Sequence, residues 1–382
     1  MKVPITRVEF GAEEARAVEE VLRSGWIMQG PRVEAFEKAA AAYVGAREAV
    51  AVSSCTTALH LALLVIGVKP NDEVLVPSLS FIASANAVLY CGAVPKFVDV
   101  DPKTYNLDPA KLERLITKRT KAILPVDQVG LPSALGEITK LAAKHGLPII
   151  EDAACALGAT YRGARIGSLN QLTCFSFHPR KIITTGEGGM ITTDDTALAG
   201  RLRTLRSQGA SRSAFDREKG GGAEVFAELG YNYRMTDVQA AIGIEQLKKL
   251  DGFIAKRRAL AARSGAALAG LPGIIMPSGE GHIYQSYMIR VTPKAALGRD
   301  ALLAQLQAAG VGAKTSVQAI HLEPLYQARF GRLKLPATEQ VFREGLILPL
   351  FPSMTSEEQA HVMATMARLL RGKGTTRTRA RQ

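Results

Sequence analysis

From about Val50 to Asp195 short apolar, β-rich runs alternate with stretches of helical periodicity. DEVLVPS (72–78), AVPKFVDV (93–100), TKAILPV (120–126), LPIIEDA (147–153), LTCFSF (172–177) and GGMITT (188–193) have the length and residue types of strands. Between them CTTALHLALLVIG (55–67), ASANAVLYCG (83–92), PAKLERLIT (109–117) and SALGEITKLAAKHG (133–146) read as helices, several ending in the glycine that a helix C-terminus favours. This alternation predicts a mostly parallel α/β sheet covered by helices, with ligands gathering beyond the carboxyl ends of its strands. There Asp152 and Ser176 would be delivered. A long helix is predicted from Thr236 to about Leu268, carrying Ala240, Ile242, Ile244, Leu247 and Leu250. Beyond LPGI the pattern shortens to a strand (YQSYMIRVT, 284–292) and helices (RDALLAQLQAAG, 299–310; SEEQAHVMATMARLL, 356–370), a smaller α/β domain. The division is expected near residue 255, giving a large domain over 1–255, a small one over 256–370, and a basic tail over 371–382 whose lack of apolar periodicity predicts disorder.

Composition narrows the function classes. The longest apolar stretch, around 58–68, is too short to span a bilayer and contains His60. The N-terminal residues show no apolar segment of the secretory kind, so a cytoplasmic location is expected. The four cysteines (Cys55, Cys91, Cys155, Cys174) have no metal-ligand spacing and are expected to be reduced. A net charge of +13 suits an anionic small molecule or a basic surface. Without a nucleic-acid recognition motif, DNA and RNA are not expected partners.

Three stretches carry candidate chemistry. In SSCTTALHLALL, the hydroxyls of Ser53, Ser54, Thr56 and Thr57 precede an apolar helix, whose free N–H groups and dipole favour an anion, although simple capping has the same signature. In IIEDAACALGA, Asp152 ends a strand, where a carboxylate can face a cationic ring nitrogen or cap the next turn. In FSFHPRKIITTGEGG (175–189), Lys181 lies between an alternating strand and a glycine-rich bend. An amine that attacks a carbonyl must be neutral, so a pKa below its usual value of about 10.4 is expected there. An anion site, a strand-end carboxylate and a glycine-framed lysine, in that order on an α/β sheet, are the anchors that pyridoxal phosphate requires.

The chain at this point resembles the DegT/DnrJ/EryC1/StrS sugar aminotransferases, within the fold type I group of pyridoxal-phosphate enzymes. The resemblance runs from VLRSGWIMQGP (21–31) to LPLFPSMT (348–355) and includes PSLSFIASANAV, VDVDPKTYNLDP, GYNYRMTDVQAAIG and HIYQSYMIR. It implies that Lys181 forms the Schiff base and shuttles the proton, that Asp152 keeps the pyridine nitrogen protonated, and that Thr56, Thr57 and Ser176 bind the phosphate. Phe81 would stack on the ring, and Asn232 would reach the phosphate of a neighbouring subunit, making the enzyme a homodimer with shared active sites. Cys155 stands beside the ring where many members carry His or Gln, Asp127 where many carry His, and Gln318 where a His is common. The implied reaction moves an amino group from L-glutamate or L-glutamine to a keto-sugar on a nucleotide diphosphate. A keto-cyclitol or another acceptor without a nucleotide is the alternative, as is a sugar dehydratase of the same fold, although the dehydratases tend to replace the lysine by His. His178, Trp26, Tyr284 and Tyr287 lie in matching segments, with packing roles equally open to Trp26 and the two tyrosines.

Overall fold

A computed structural model describes residues 1–211 and 225–371. Its centre is a three-stranded parallel sheet, in the order Val94–Val98, Glu73–Pro77, Thr120–Ile123. It runs on through parallel bridges, Ile123 to Ile149 and Val126 to Asp152, into a four-stranded sheet of Ile150–Asp152, Leu172–Ser176, Gly189–Thr193 and Glu48–Val52. Gly189–Thr193 is antiparallel to both its neighbours, so the sheet is mixed but mostly parallel.

Both faces are apolar, as a sheet covered on two sides demands. Val50 and Val52 face a core with helices Cys55–Val65, Ala83–Tyr90 and Thr196–Arg206, whereas Ala49 and Ala51 face Phe36 of helix Pro31–Val44 and Leu247 of helix Asp237–Leu268. The side-chain period of two along a strand thus assigns alternate residues to opposite layers. Cys174 and Phe175 divide in the same way.

A second sheet, ordered Ile274–Ile275, Tyr287–Val291, Gly345–Leu348, Lys314–Thr315, is antiparallel throughout. Its core takes Leu302 and Leu306 from helix Arg299–Ala308, Val362 and Met366 from helix Ser356–Arg371, and Val3 from the N-terminal segment.

Three details differ from the sequence reading. PAKLERLIT is not one helix but two 3₁₀ turns, Pro109–Lys111 and Glu113–Leu115, followed by extended Ile116. Only Leu112 of that stretch is fully buried, too small an apolar face to hold a longer helix. Glu48–Val52 is a strand beyond those anticipated, and Tyr287 lies in a strand core while Tyr284 stacks on His282 at 4.0 Å. The tail, apart from Arg371, lies outside the described residues. No helix among the described residues is long and apolar enough to cross a membrane.

Candidate active site

Asp152 is the last residue of its strand and is buried. Its backbone is held on one side by N–H donation to Pro125 O (2.9 Å) and by acceptance from Asp127 N–H (3.1 Å). The Ser84 hydroxyl donates to Oδ2 at 2.7 Å and the Ala154 N–H to Oδ1 at 3.2 Å, while Cys55 Sγ lies 4.0 Å from Oδ1. Burial pushes the Asp152 carboxyl above its ordinary range, with Ser84, Ala154 and Lys181 pulling the other way. A cationic group opposite this carboxylate would relieve that cost.

Lys181 leaves the sheet in a short loop that begins after strand Leu172–Ser176. The loop is pinned shut: Phe177 N–H donates to Gly188 O (2.9 Å), Thr185 N–H to Phe177 O (3.0 Å) and Lys181 N–H to His178 O (2.8 Å). Gln285 adds a bond from Nε2 to Arg180 O at 2.6 Å. The Lys181 Nζ donates to Cys155 Sγ at 3.2 Å. Burial disfavours its ammonium, yet Cys155, Cys55 and Asp152 favour it more, so the net direction is upward. The depressed lysine expected from the sequence is therefore not produced by the chain's own groups, because its neighbours are thiols and a carboxylate rather than cations.

The anion site follows from close backbone approach. Ser176 pairs with Gly189, and a Cβ on Gly189 would collide with the backbone of Ser54 and Cys55. Glycine there lets the strand meet the start of helix Cys55–Val65. Ser54 caps that helix, accepting from Thr57 N–H at 3.2 Å. The Thr57 hydroxyl is turned inward, donating to Ser54 O at 2.7 Å, whereas Thr56 is half-buried beside it and Ser176 is buried at the adjoining strand end. The helix start thus keeps N–H groups, the positive end of its dipole and nearby hydroxyls for an anion.

Phe81 is exposed, three residues before the Ser84 that holds Asp152. Asn232 is also exposed, in a segment tied to this helix start by Ser53 N–H donation to Tyr233 O (2.8 Å). His178 is half-buried, its Nδ1 accepting from Arg180 N–H at 3.2 Å. Gln318 contributes its backbone, accepting from Ser80 N–H at 3.1 Å. Trp26 donates from Nε1 to Gln29 O at 3.2 Å, and its loop is fastened by the Asp237 carboxylate, which accepts from the N–H groups of Gly30, Arg32 and Val33. Sequence reasoning missed Ser84 and Asp237. Ser84 looked like one small residue within an apolar helix, and Asp237 like an ordinary first-turn acid.

The donor set fits pyridoxal phosphate on the structure's own terms: a helix start for the phosphate, a buried carboxylate needing a cation, and an amine held near that carboxylate by a closed loop. Comparison with known proteins agrees. Residues 8–367 match the DegT/DnrJ/EryC1/StrS aminotransferase family. The spore coat polysaccharide biosynthesis protein SpsC of Bacillus subtilis (strain 168) is 39% identical over 379 residues, 97% of each chain. Among solved structures, Helicobacter pylori PseC, an aminotransferase involved in the biosynthesis of pseudoaminic acid, is 28% identical with a TM-score of 0.91, covering 97% of this chain and 100% of that one. Bacillus subtilis NtdA with bound cofactor PMP is 34% identical with a TM-score of 0.86, over 94% of this chain and 82% of that one. The chain belongs to the DegT/DnrJ/EryC1/StrS family and is a pyridoxal-phosphate-dependent sugar aminotransferase.

Proposed function

We propose that the enzyme transfers an amino group from L-glutamate or L-glutamine to the keto carbon of a sugar carried on a nucleotide diphosphate. The observation that carries the site assignment is the meeting of Lys181, Cys155, Cys55 and Asp152 in one cluster. The net charge of +13 is what favours a diphosphate-bearing acceptor over a neutral keto-cyclitol. The retained lysine favours transamination over sugar dehydration.

In this reading Lys181 Nζ would hold the cofactor's aldehyde and would serve as the base that carries the proton to and from the substrate carbon. Asp152 holds a proton on the ring nitrogen, with Ser84 fixing the carboxylate. Thr56 and Ser176 hold the phosphate. Thr57 contributes by closing the helix cap, and Phe81 covers the ring. Cys155 stands beside Lys181 as part of the cofactor wall. When bound, the cofactor supplies an electron sink that lets the bond from carbon to hydrogen next to the amine break.

We further propose a homodimer in which Asn232 completes the partner's phosphate site. Exposed Phe226 and Leu229 in the preceding segment support a second copy packing there. The division near residue 255 is proposed on the separate apolar cluster that begins with Leu260, to which Val3 also adds. A cytoplasmic location is consistent with four free cysteines.

Half-reactions on the loaded enzyme test the substrate assignment. The visible absorbance of the pyridoxal form should be lost with glutamate or glutamine and restored by a nucleotide-linked keto-sugar. Restoration by a free keto-sugar or keto-cyclitol alone would overturn the nucleotide assignment.

A further inference from the structure

Behind Asp152 lies a second pair of acids that the proposed chemistry does not use. Asp127 and Glu151 have no exposed surface. Asp127 follows the residue that bridges to Asp152, and Glu151 directly precedes Asp152. The Asp127 Oδ1 accepts from Ser133 N–H at 2.7 Å, and Glu151 Oε2 accepts from Asn170 Nδ2 at 3.0 Å and Thr173 Oγ1 at 2.9 Å. The other two oxygens, Asp127 Oδ2 and Glu151 Oε1, are buried with no hydrogen-bond partner, and each carboxyl acts electrostatically on the other. Two ionised carboxylates are acceptors only, so these two orphaned oxygens can satisfy each other only through a proton held between them. The other titratable groups acting on Glu151 are Asp152 and Cys174, neither of them a cation. No Lys, Arg or His among the described residues forms an ion pair with either acid.

We propose that Asp127 and Glu151 share one proton in a buried acid–carboxylate hydrogen bond, and that this pair positions the strand end carrying Asp152. Asp127 is the acid, donating from Oδ2 to Glu151 Oε1, because Glu151 already receives two other hydrogen bonds that favour its charged form. Burial and the neighbouring Glu151 charge hold the Asp127 carboxyl well above the usual range, and burial also raises Glu151. The shared proton keeps a second negative charge away from Asp152. Asp127 is a positioning residue here, and its link to catalysis rests on the reading of Asp152 as partner of the ring nitrogen.

Asp127→Asn keeps a donor toward Glu151 and an acceptor for Ser133, whereas Asp127→Ala keeps neither. The infrared difference spectrum of purified wild type minus Asp127→Asn, both at neutral pH, should show a protonated carboxyl stretch belonging to the wild type. Thermal unfolding from pH 5 to 9 gives the second readout. An acid whose folded pKa is raised contributes stability that is full below its ordinary pKa and declines as pH rises toward the folded value. The Asn variant lacks that decline, so its unfolding constant relative to wild type should fall with rising pH, by up to about tenfold per unit. A ratio independent of pH, or an unchanged carboxyl band, would overturn the shared proton. For positioning, Asp127→Ala should weaken cofactor affinity and shift its visible band, and Asp127→Asn should do neither. Equal effects of the two, with the shared proton intact, would overturn the positioning role. Failure of the Asp152 reading is seen separately, as an Asp152→Asn enzyme with normal turnover and cofactor spectrum.

Discussion

At the end of strand Ile150–Asp152 both carboxylate oxygens meet donors from the same chain, and the Ser84 donor is itself hydrogen-bonded to Ser80 at 2.8 Å. Phe81 and Asn232, assigned to the same cofactor, stand exposed at the rim. The wall is preorganised by one chain's own hydrogen bonds, and such groups cost little to hold at the moment of reaction. In the proposed site, rim residues would obtain their contacts from the cofactor and from a second subunit. Substitutions in the wall should therefore change the chemistry, and those at the rim should mainly change retention of the cofactor.

The largest effect is expected from Lys181→Ala, with turnover reduced by about a thousandfold or more and the visible band of the lysine-linked cofactor absent, while the fold persists. Asp152→Asn should lower turnover by about a hundredfold and leave measurable cofactor binding, as read by steady-state kinetics beside absorbance titration. Ser84→Ala removes a donor to a buried charge, so a loss of about 1.5–3 kcal/mol is expected, divided between folding stability and cofactor affinity. Gly189→Ala drives a methyl into Ser54 and Cys55 and should destabilise by about 1–3 kcal/mol, with weaker phosphate retention detectable by dialysis. Phe81→Ala should be mildest, raising cofactor dissociation several-fold with turnover of the loaded enzyme nearly intact. A Phe81 variant that lost turnover as fully as Asp152→Asn would erase the distinction between wall and rim.

Much of this was legible because short-range chemistry governs it. Alternating apolar runs gave the parallel strands, and Lys181 stood out by its glycine frame. What stayed hidden depends on contacts between distant segments. Ser84 meets Asp152 across 68 residues, and Asp237 holds the Trp26 loop from more than two hundred residues away. The inward turn of the Thr57 hydroxyl also escaped the sequence, since a capping threonine and a phosphate-binding one are spelled alike. The direction of the Lys181 shift was hidden too, because it is set by Cys155 and Cys55, which join the lysine only in the fold. Asp127 was noticed as a departure from the family pattern, but its pairing with Glu151 required the sheet to form.

The central claim is that Lys181 is the amine that holds the cofactor. Borohydride reduction of the loaded enzyme, followed by peptide mass spectrometry, tests it most directly. The reduced cofactor should be found as a covalent addition to Lys181. Its attachment to a different lysine, or its release with no addition from an enzyme that still transaminates, would contradict the account.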